Sequence, residues 1–163
     1  MPGPALFTIG HSNHSIETFL DLLKYHKIRH LADVRSQPYS RRFPQFNIRA
    51  LQARLPREGI QYTYLGDSLG GRPKDSDFYD VNGELIVERL TASPEFAHGL
   101  RRLMEIAAET LTAIMCAEED PARCHRGAIL TPALESQGLT VRHIRKPPAS
   151  GRSETQKKFK FDL

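Results

Sequence analysis

Residues 5–34 read ALFTIGHSNHSIETFLDLLKYHKIRHLADV. The segment opens on a short apolar run, Ala5 to Ile9, closed by Gly10, which reads as a buried strand. Ser15 offers a hydroxyl to cap a helix, and Ile16, Phe19, Leu20 and Leu23 follow the i, i+3, i+4, i+7 spacing of one apolar face. Ile28 to Val34 then reads as a second strand. Strand, helix and strand in this order point to a parallel pair, because parallel neighbours need a crossover long enough to hold a helix.

The same alternation continues outward. Residues 35–46 hold two prolines and two adjacent arginines and read as a loop. Asn47 is placed to cap a helix buried through Ile48, Leu51 and Leu55 and ending near Pro56 or Gly59. Ile60 to Leu65 alternates around Tyr62 and Tyr64 as a third strand. Gly66 to Asn82 is polar and glycine-rich, a long loop or lid, and Glu84 to Leu90 is a short helix. Ser93-Pro94 is a cap followed by a first-turn proline, ahead of a helix burying Phe96, Leu100, Leu103 and Ala107. Leu111 to Met115 is a fourth strand. Asp120-Pro121 repeats the cap signal for a helix running to about Gln137 and stopped by Gly138, with a kink or late start at Pro132. Leu139 to Ile144 is a fifth strand.

The expected fold is therefore α/β: one open, mostly parallel sheet of about five strands with helices on both faces, in a single domain over residues 1–145. The basic tail, 146–163, reads as flexible, although Lys157 to Phe161 alternates in a way that could add an edge strand or dock on a partner. The 163 residues suffice for one core without metal or disulfide. With 39% hydrophobic and 26% charged residues, the chain is globular in composition. No run of eighteen apolar residues would cross a membrane, and Met1-Pro2-Gly3-Pro4 leads straight into the first strand without a leader pattern. The expected compartment is the cytoplasm. In a reducing cytosol two cysteines, Cys116 and Cys124, are metal-binding, reactive or simply small buried residues.

The net charge of +4 is unevenly spread. Between Asp33 and Glu58 there is no acid, yet Arg35, Arg41, Arg42, Arg49, Arg54 and Arg57 all lie there. Open parallel sheets bind ligands beyond the carboxyl ends of their strands, so the residues just past each strand are the candidate site. These are His11, Ser12 and Asn13 after the first strand. Asp33, Arg35, Tyr39 and Arg41 follow the second, Gly70, Gly71 and Arg72 the third, and Cys116, Glu118, Cys124, His125 and Arg126 the fourth.

Thr8-Ile9-Gly10-His11-Ser12, Asp33-Val34-Arg35 with Pro38 and Ser40-Arg41, Leu65-Gly66 with Gly70-Gly71, and Cys116 with Cys124-His125-Arg126 together resemble the bacterial and archaeal family called domain of unknown function 488. The resemblance spans about Phe7 to Ile144. It implies which residues form a site and no particular reaction. Gly127 departs from the pattern, which leads one to expect serine after Cys-His-Arg.

Chemically, Arg35, Arg41, Arg72 and Arg126 are candidates for an anion clamp, since a guanidinium grips phosphate or carboxylate through two parallel bonds. Backbone amides near Gly70-Gly71 and at the helix start by Asp120-Pro121 could add donors. Arg35 has a structural alternative, pairing with Asp33. Arg42, Arg49, Arg54 and Arg57 read as a solvated helix face. Cys124, flanked by Arg123, His125 and Arg126 near a helix start, is a candidate nucleophile of lowered pKa. The phosphatase signature of cysteine followed six positions on by arginine is absent. His11 is a candidate general acid or base or a loop-holding histidine, and Glu118 a second reactive group. Cys116, Cys124, His125 and His11 could offer zinc or iron a ligand set, although no named metal motif is present and no cofactor is expected. Tyr39, Tyr62 and Tyr64 could stack on a base or pack the fold.

Three functions compete on this reading. The first is an enzyme, a hydrolase or transferase, acting on a phosphorylated or nucleotide-like small molecule with Cys124 or Glu118 as reactive group. The second is a nucleic-acid-binding module using the basic 35–57 segment and the tail, with steep salt dependence. The third is a cysteine-based redox or metal sensor.

Overall fold

The computed structural model describes residues 5–146. Five strands form one sheet: β1 (Ala5–Gly10), β2 (His30–Asp33), β3 (Gln61–Tyr64), β4 (Thr112–Cys116) and β5 (Thr140–Ile144). Their order is β3-β2-β4-β1-β5 and every pairing is parallel. β4 is buried at every position, as expected of a strand covered on both faces.

Alternate residues of the strands feed two cores. Ile9, Leu31, Ala113 and Met115 face one side, where α1 (Ile16–Tyr25) packs Phe19, Leu20 and Leu23 and α2 (Ile48–Arg54) packs Leu51. Leu6, Ala32, Ile114 and Cys116 face the other, beneath α3 (Gly66–Leu69), α4 (Val87–Ala92), α5 (Pro94–Glu109) and α6 (Thr131–Glu135). The caps act where the side chains allow. Ser15 accepts from the Thr18 amide and Ser93 from the Phe96 amide.

Several expectations are corrected. Asn47 precedes α2 but does not cap it with its side chain; its Oδ1 accepts instead from the Ser40 amide at 2.6 Å, closing the arginine loop onto the helix. The 66–82 segment is not all loop, because it contains α3 and a 3₁₀ turn at Ser76–Phe78. The helix expected from Glu84 starts at Val87, since Leu85 forms an antiparallel bridge with Tyr79.

The largest correction follows Asp120. A 3₁₀ turn (Pro121–Arg123) ends at Cys124, whose φ and ψ of −138° and 147° are extended. A π turn (Arg126–Leu130) comes next, and α6 begins only at Thr131, the late start that Pro132 led one to expect. Pro132 thus lies in a first turn, where its missing amide hydrogen breaks no bond. The expectations for 147–163, the alternating Lys157–Phe161 segment included, lie outside the described residues.

Candidate functional site

Strand order sets where a cleft opens. From β1 the chain crosses β4 to reach β2, whereas from β4 it crosses β1 to reach β5. The two exits diverge, and a crevice opens at the carboxyl ends of these neighbouring strands. The ladder runs on past the strands: the His11 amide donates to the Cys116 carbonyl at 2.9 Å and the Ser12 amide to that of Ala117 at 2.8 Å. Gly10 makes this approach possible, because a Cβ there would collide with the backbone carbonyl of Glu118. Ser12 turns away with φ of +48°.

On the β2 side, Asp33 is fully buried and holds a polar network. The Arg35 Nε and Nη2 donate to its two oxygens at 2.9 and 2.8 Å, a bidentate pair. The Arg35 amide and the Tyr62 hydroxyl donate to the same carboxylate, and Arg35 Nη2 also reaches the Phe46 carbonyl at 2.7 Å. Both charges are thereby paired, as burial of charge requires. Burial first, and then the Asp33 charge, push the Tyr62 hydroxyl far above its usual range, so it stays a donor. Tyr64 donates to the Arg35 carbonyl and is pushed up to about 12 chiefly by burial. Both tyrosines therefore brace the arginine loop and do not offer stacking faces.

On the β4 side, Cys116 and Cys124 are joined sulfur to sulfur, with Cα atoms 7.4 Å apart. The extended backbone at Cys124 turns it back toward the strand end. Arg126 is fully buried beneath them. Its Nη2 donates to the Glu119 carbonyl at 2.8 Å, its Nη1 lies 3.8 Å from the Cys116 sulfur, and its Nε has no partner among the described residues. Burial lowers its pKa to about 10, so it remains a cation at neutral pH. His125 Nε2 lies 3.0 Å from the Val34 carbonyl, which can only accept, so this nitrogen carries the proton. Its Nδ1 sits 3.7 Å from the Cys124 sulfur. Burial holds His125 below the usual histidine range, against its bonds to the Val34 and Leu69 carbonyls.

Between these sides lies a cleft of two adjoining lobes, of about 380 and 420 Å³. Arg35, Gln37, Tyr39, Ala117 and Glu118 line both. The first lobe adds Ser36, Gly71, Arg72, Cys116, Arg123, Cys124 and His125, and the second adds His11, Ser12, Asn13, Ser40, Arg42 and Phe43. Four arginines thus face one lining carboxylate, Glu118.

Most of the sequence candidates converge here, with instructive exceptions. Arg126 lies behind the cysteines and does not line the cleft, and neither does Arg41, which is exposed. The Gly70 amide is spent on the Gly66 carbonyl at the end of α3. His11 is 3% exposed and stacks on Phe46 at 4.6 Å between centroids, with Nδ1 2.8 Å from the Ser12 carbonyl. Burial, opposed by that bond, lowers its pKa to about 4, so it is neutral at pH 7. Among the described residues no group of three or more His, Cys, Asp or Glu is placed to hold a metal ion, so His11 does not join the cysteines.

Arg42 and Arg123 are the lining arginines that sequence reasoning passed over. Arg42 lies with its guanidinium 5.3 Å from the Phe43 ring centroid, turned in by the loop that Asn47 closes. The signal available for Arg123 was its place beside Cys124. Gly127 also has a reason: a Cβ there would run into the Pro121 carbonyl, so this turn has no room for serine without a backbone shift.

No helix among the described residues is long and apolar enough to cross a membrane. No curated protein and no solved structure matches the chain. The family model for the domain of unknown function DUF488 matches residues 15–132, a span that begins just past His11 and takes in Asp33, Arg35, Gly71, both cysteines and Arg126. That match covers well over half of the 163 residues, and the chain belongs to the DUF488 family.

Proposed function

We propose that the cleft binds a small anionic molecule, phosphorylated or nucleotide-like, and that the protein is an enzyme acting on it with Cys124 as the reactive group once its bond to Cys116 is reduced. One observation carries this reading: Arg35, Arg72 and Arg123, from the loops after β2, β3 and β4, line one cavity together with Cys124. Guanidinium groups from separate loops can surround a phosphate that no single loop could enclose. Arg35 is held rigidly by Asp33, and its Nη1 takes part in no bond among the described residues, so it is left for a ligand. Tyr39, 67% exposed at the rim of both lobes, supplies an aromatic face for a base.

The test is calorimetric titration with inorganic phosphate, nucleoside mono- and diphosphates and neutral nucleosides. Binding of the anions with no response to the neutral compounds is expected. Arg72→Met and Arg123→Met should each weaken it about tenfold, the effect of one lost charge-assisted bond. Cys124→Ser should leave binding intact and abolish turnover. Equal, negligible heats for all compounds would sink the reading.

A further inference from the structure

We infer that Cys116 and Cys124 form a reversible two-electron dithiol–disulfide couple open to the cleft, whose reduced form has Arg126 as its buried counter-ion. The inference goes beyond anion binding and draws on that reading only for the choice of an anionic oxidant.

The argument starts from Arg126. A buried guanidinium ordinarily has a carboxylate partner, because an uncompensated charge in the interior is costly. Arg35 has Asp33. Arg126 has no carboxylate partner among the described residues, and its Nε is without any acceptor. What it does have is sulfur. Its Nη1 is 3.8 Å from Cys116 Sγ, and its own backbone amide donates to Cys124 Sγ at 3.5 Å. When the sulfurs are joined neither carries charge, and the cation is left without an ion-pair partner, felt only through space by Glu119, Asp120 and Glu118. When they are reduced, a thiolate supplies the missing anion. The buried charge therefore favours the dithiol, as positive surroundings do in redox-active cysteine pairs. A purely structural disulfide would gain nothing from such a neighbour.

Access divides the roles. Both cysteines line the cleft, but Cys124 is 9% exposed and Cys116 only 2%. Cys124 is the sulfur that meets an external disulfide, and Cys116 resolves. With oxidised glutathione, the Cys124 thiolate attacks one sulfur, the glutathione S–S bond breaks, and one glutathione thiolate leaves. The Cys116 thiolate then attacks Cys124 Sγ of the mixed disulfide and expels the second. The protein loses two electrons, oxidised glutathione gains them, and the two cysteine protons end on the two glutathione thiols. His125 Nδ1, 3.7 Å from Cys124 Sγ, is placed to take the proton as Cys124 ionises.

The test equilibrates the full chain with mixtures of reduced and oxidised glutathione, quenches with an alkylating agent and counts modified cysteines by mass spectrometry. Wild type should pass from no free cysteines to two as the mixture is made more reducing. Cys116→Ser should accumulate one glutathione on Cys124. Arg126→Met should shift the equilibrium toward the disulfide by about tenfold or more, whereas Arg126→Lys should largely restore it. Ultraviolet absorbance should show a thiolate in reduced wild type and Arg126→Lys but not in Arg126→Met. If Arg126→Met does not fold, the Cys116→Ser adduct and the wild-type equilibrium still decide. Cysteines that stay joined in every mixture, or no adduct at Cys124, would overturn the couple. A neutral disulfide, hydroxyethyl disulfide, separates the two readings. If the couple is real but the cleft does not attract anions, it will oxidise the protein as fast as oxidised glutathione does.

Discussion

The two sides of the cleft solve the burial of an arginine in opposite ways. After β2, Arg35 lies against a fully buried carboxylate that also receives the Arg35 amide and the Tyr62 hydroxyl. After β4, Arg126 is buried more deeply, with one nitrogen unpartnered and the Cys116 sulfur where a carboxylate would be expected. The first arrangement is complete and rigid. The second is electrostatically unfinished while the sulfurs are joined. The difference shows that two arginines just past neighbouring strands can look alike in sequence terms and yet differ in whether the fold supplies their counter-charge.

The sharpest way to break this comparison is to unbalance the complete side. Asp33→Ala leaves Arg35 buried without its partner and should cost about 3–5 kcal/mol in urea denaturation. A loss below about 1 kcal/mol would mean that the network does not hold the cleft.

Acid probes His11, buried against Phe46 at the end of β1, next in size. Its folded pKa of about 4 lies below the unfolded 6.5. The unfolded chain therefore binds the proton first, and stability is full above pH 6.5 and lost as pH falls toward 4. The share from His11 is of the order of 3 kcal/mol. His14, His26, His30, His125 and His143 shift in the same direction, so the measurement is a difference. His11→Phe, which keeps a ring against Phe46, should be visibly less acid-sensitive than wild type across that window.

Two smaller effects sharpen the contrast. Tyr62→Phe removes one of the donors to Asp33 and should cost about 1 kcal/mol by thermal denaturation. Arg126→Met in the oxidised protein removes a buried charge that lacks an ion-pair partner and should cost no more than about 1 kcal/mol, unlike Asp33→Ala. A loss as large as that of Asp33→Ala would make Arg126 a structural post.

Much of this was legible along the chain. The apolar run at Ala5–Gly10 and the spacing of Ile16, Phe19, Leu20 and Leu23 identify β1 and α1, because burial imposes a period of two or of 3.6 on nearby residues. Most candidate site residues were legible too, since the architecture concentrates them past strand ends. The failures came where a side chain chose a tertiary partner over a local one. Asn47 bonds Ser40 across the loop instead of capping its helix, and the stretch after Asp120 turns at Cys124 to meet Cys116 instead of continuing as a helix.

Residue order alone is enough to establish an α/β chain, the loops that carry its arginines, histidines and cysteines, and a resemblance to the family to which it belongs. The order β3-β2-β4-β1-β5, and with it the crevice between β4 and β1, comes from the packed fold. That fold likewise decides that Arg42 and Arg123 line the cleft while Arg41 and Arg126 do not, and that Cys116 meets Cys124. The reason is physical. Helix and strand patterns report contacts a few residues apart, whereas strand order, charge pairing and sulfur proximity depend on how both faces of the sheet pack at once.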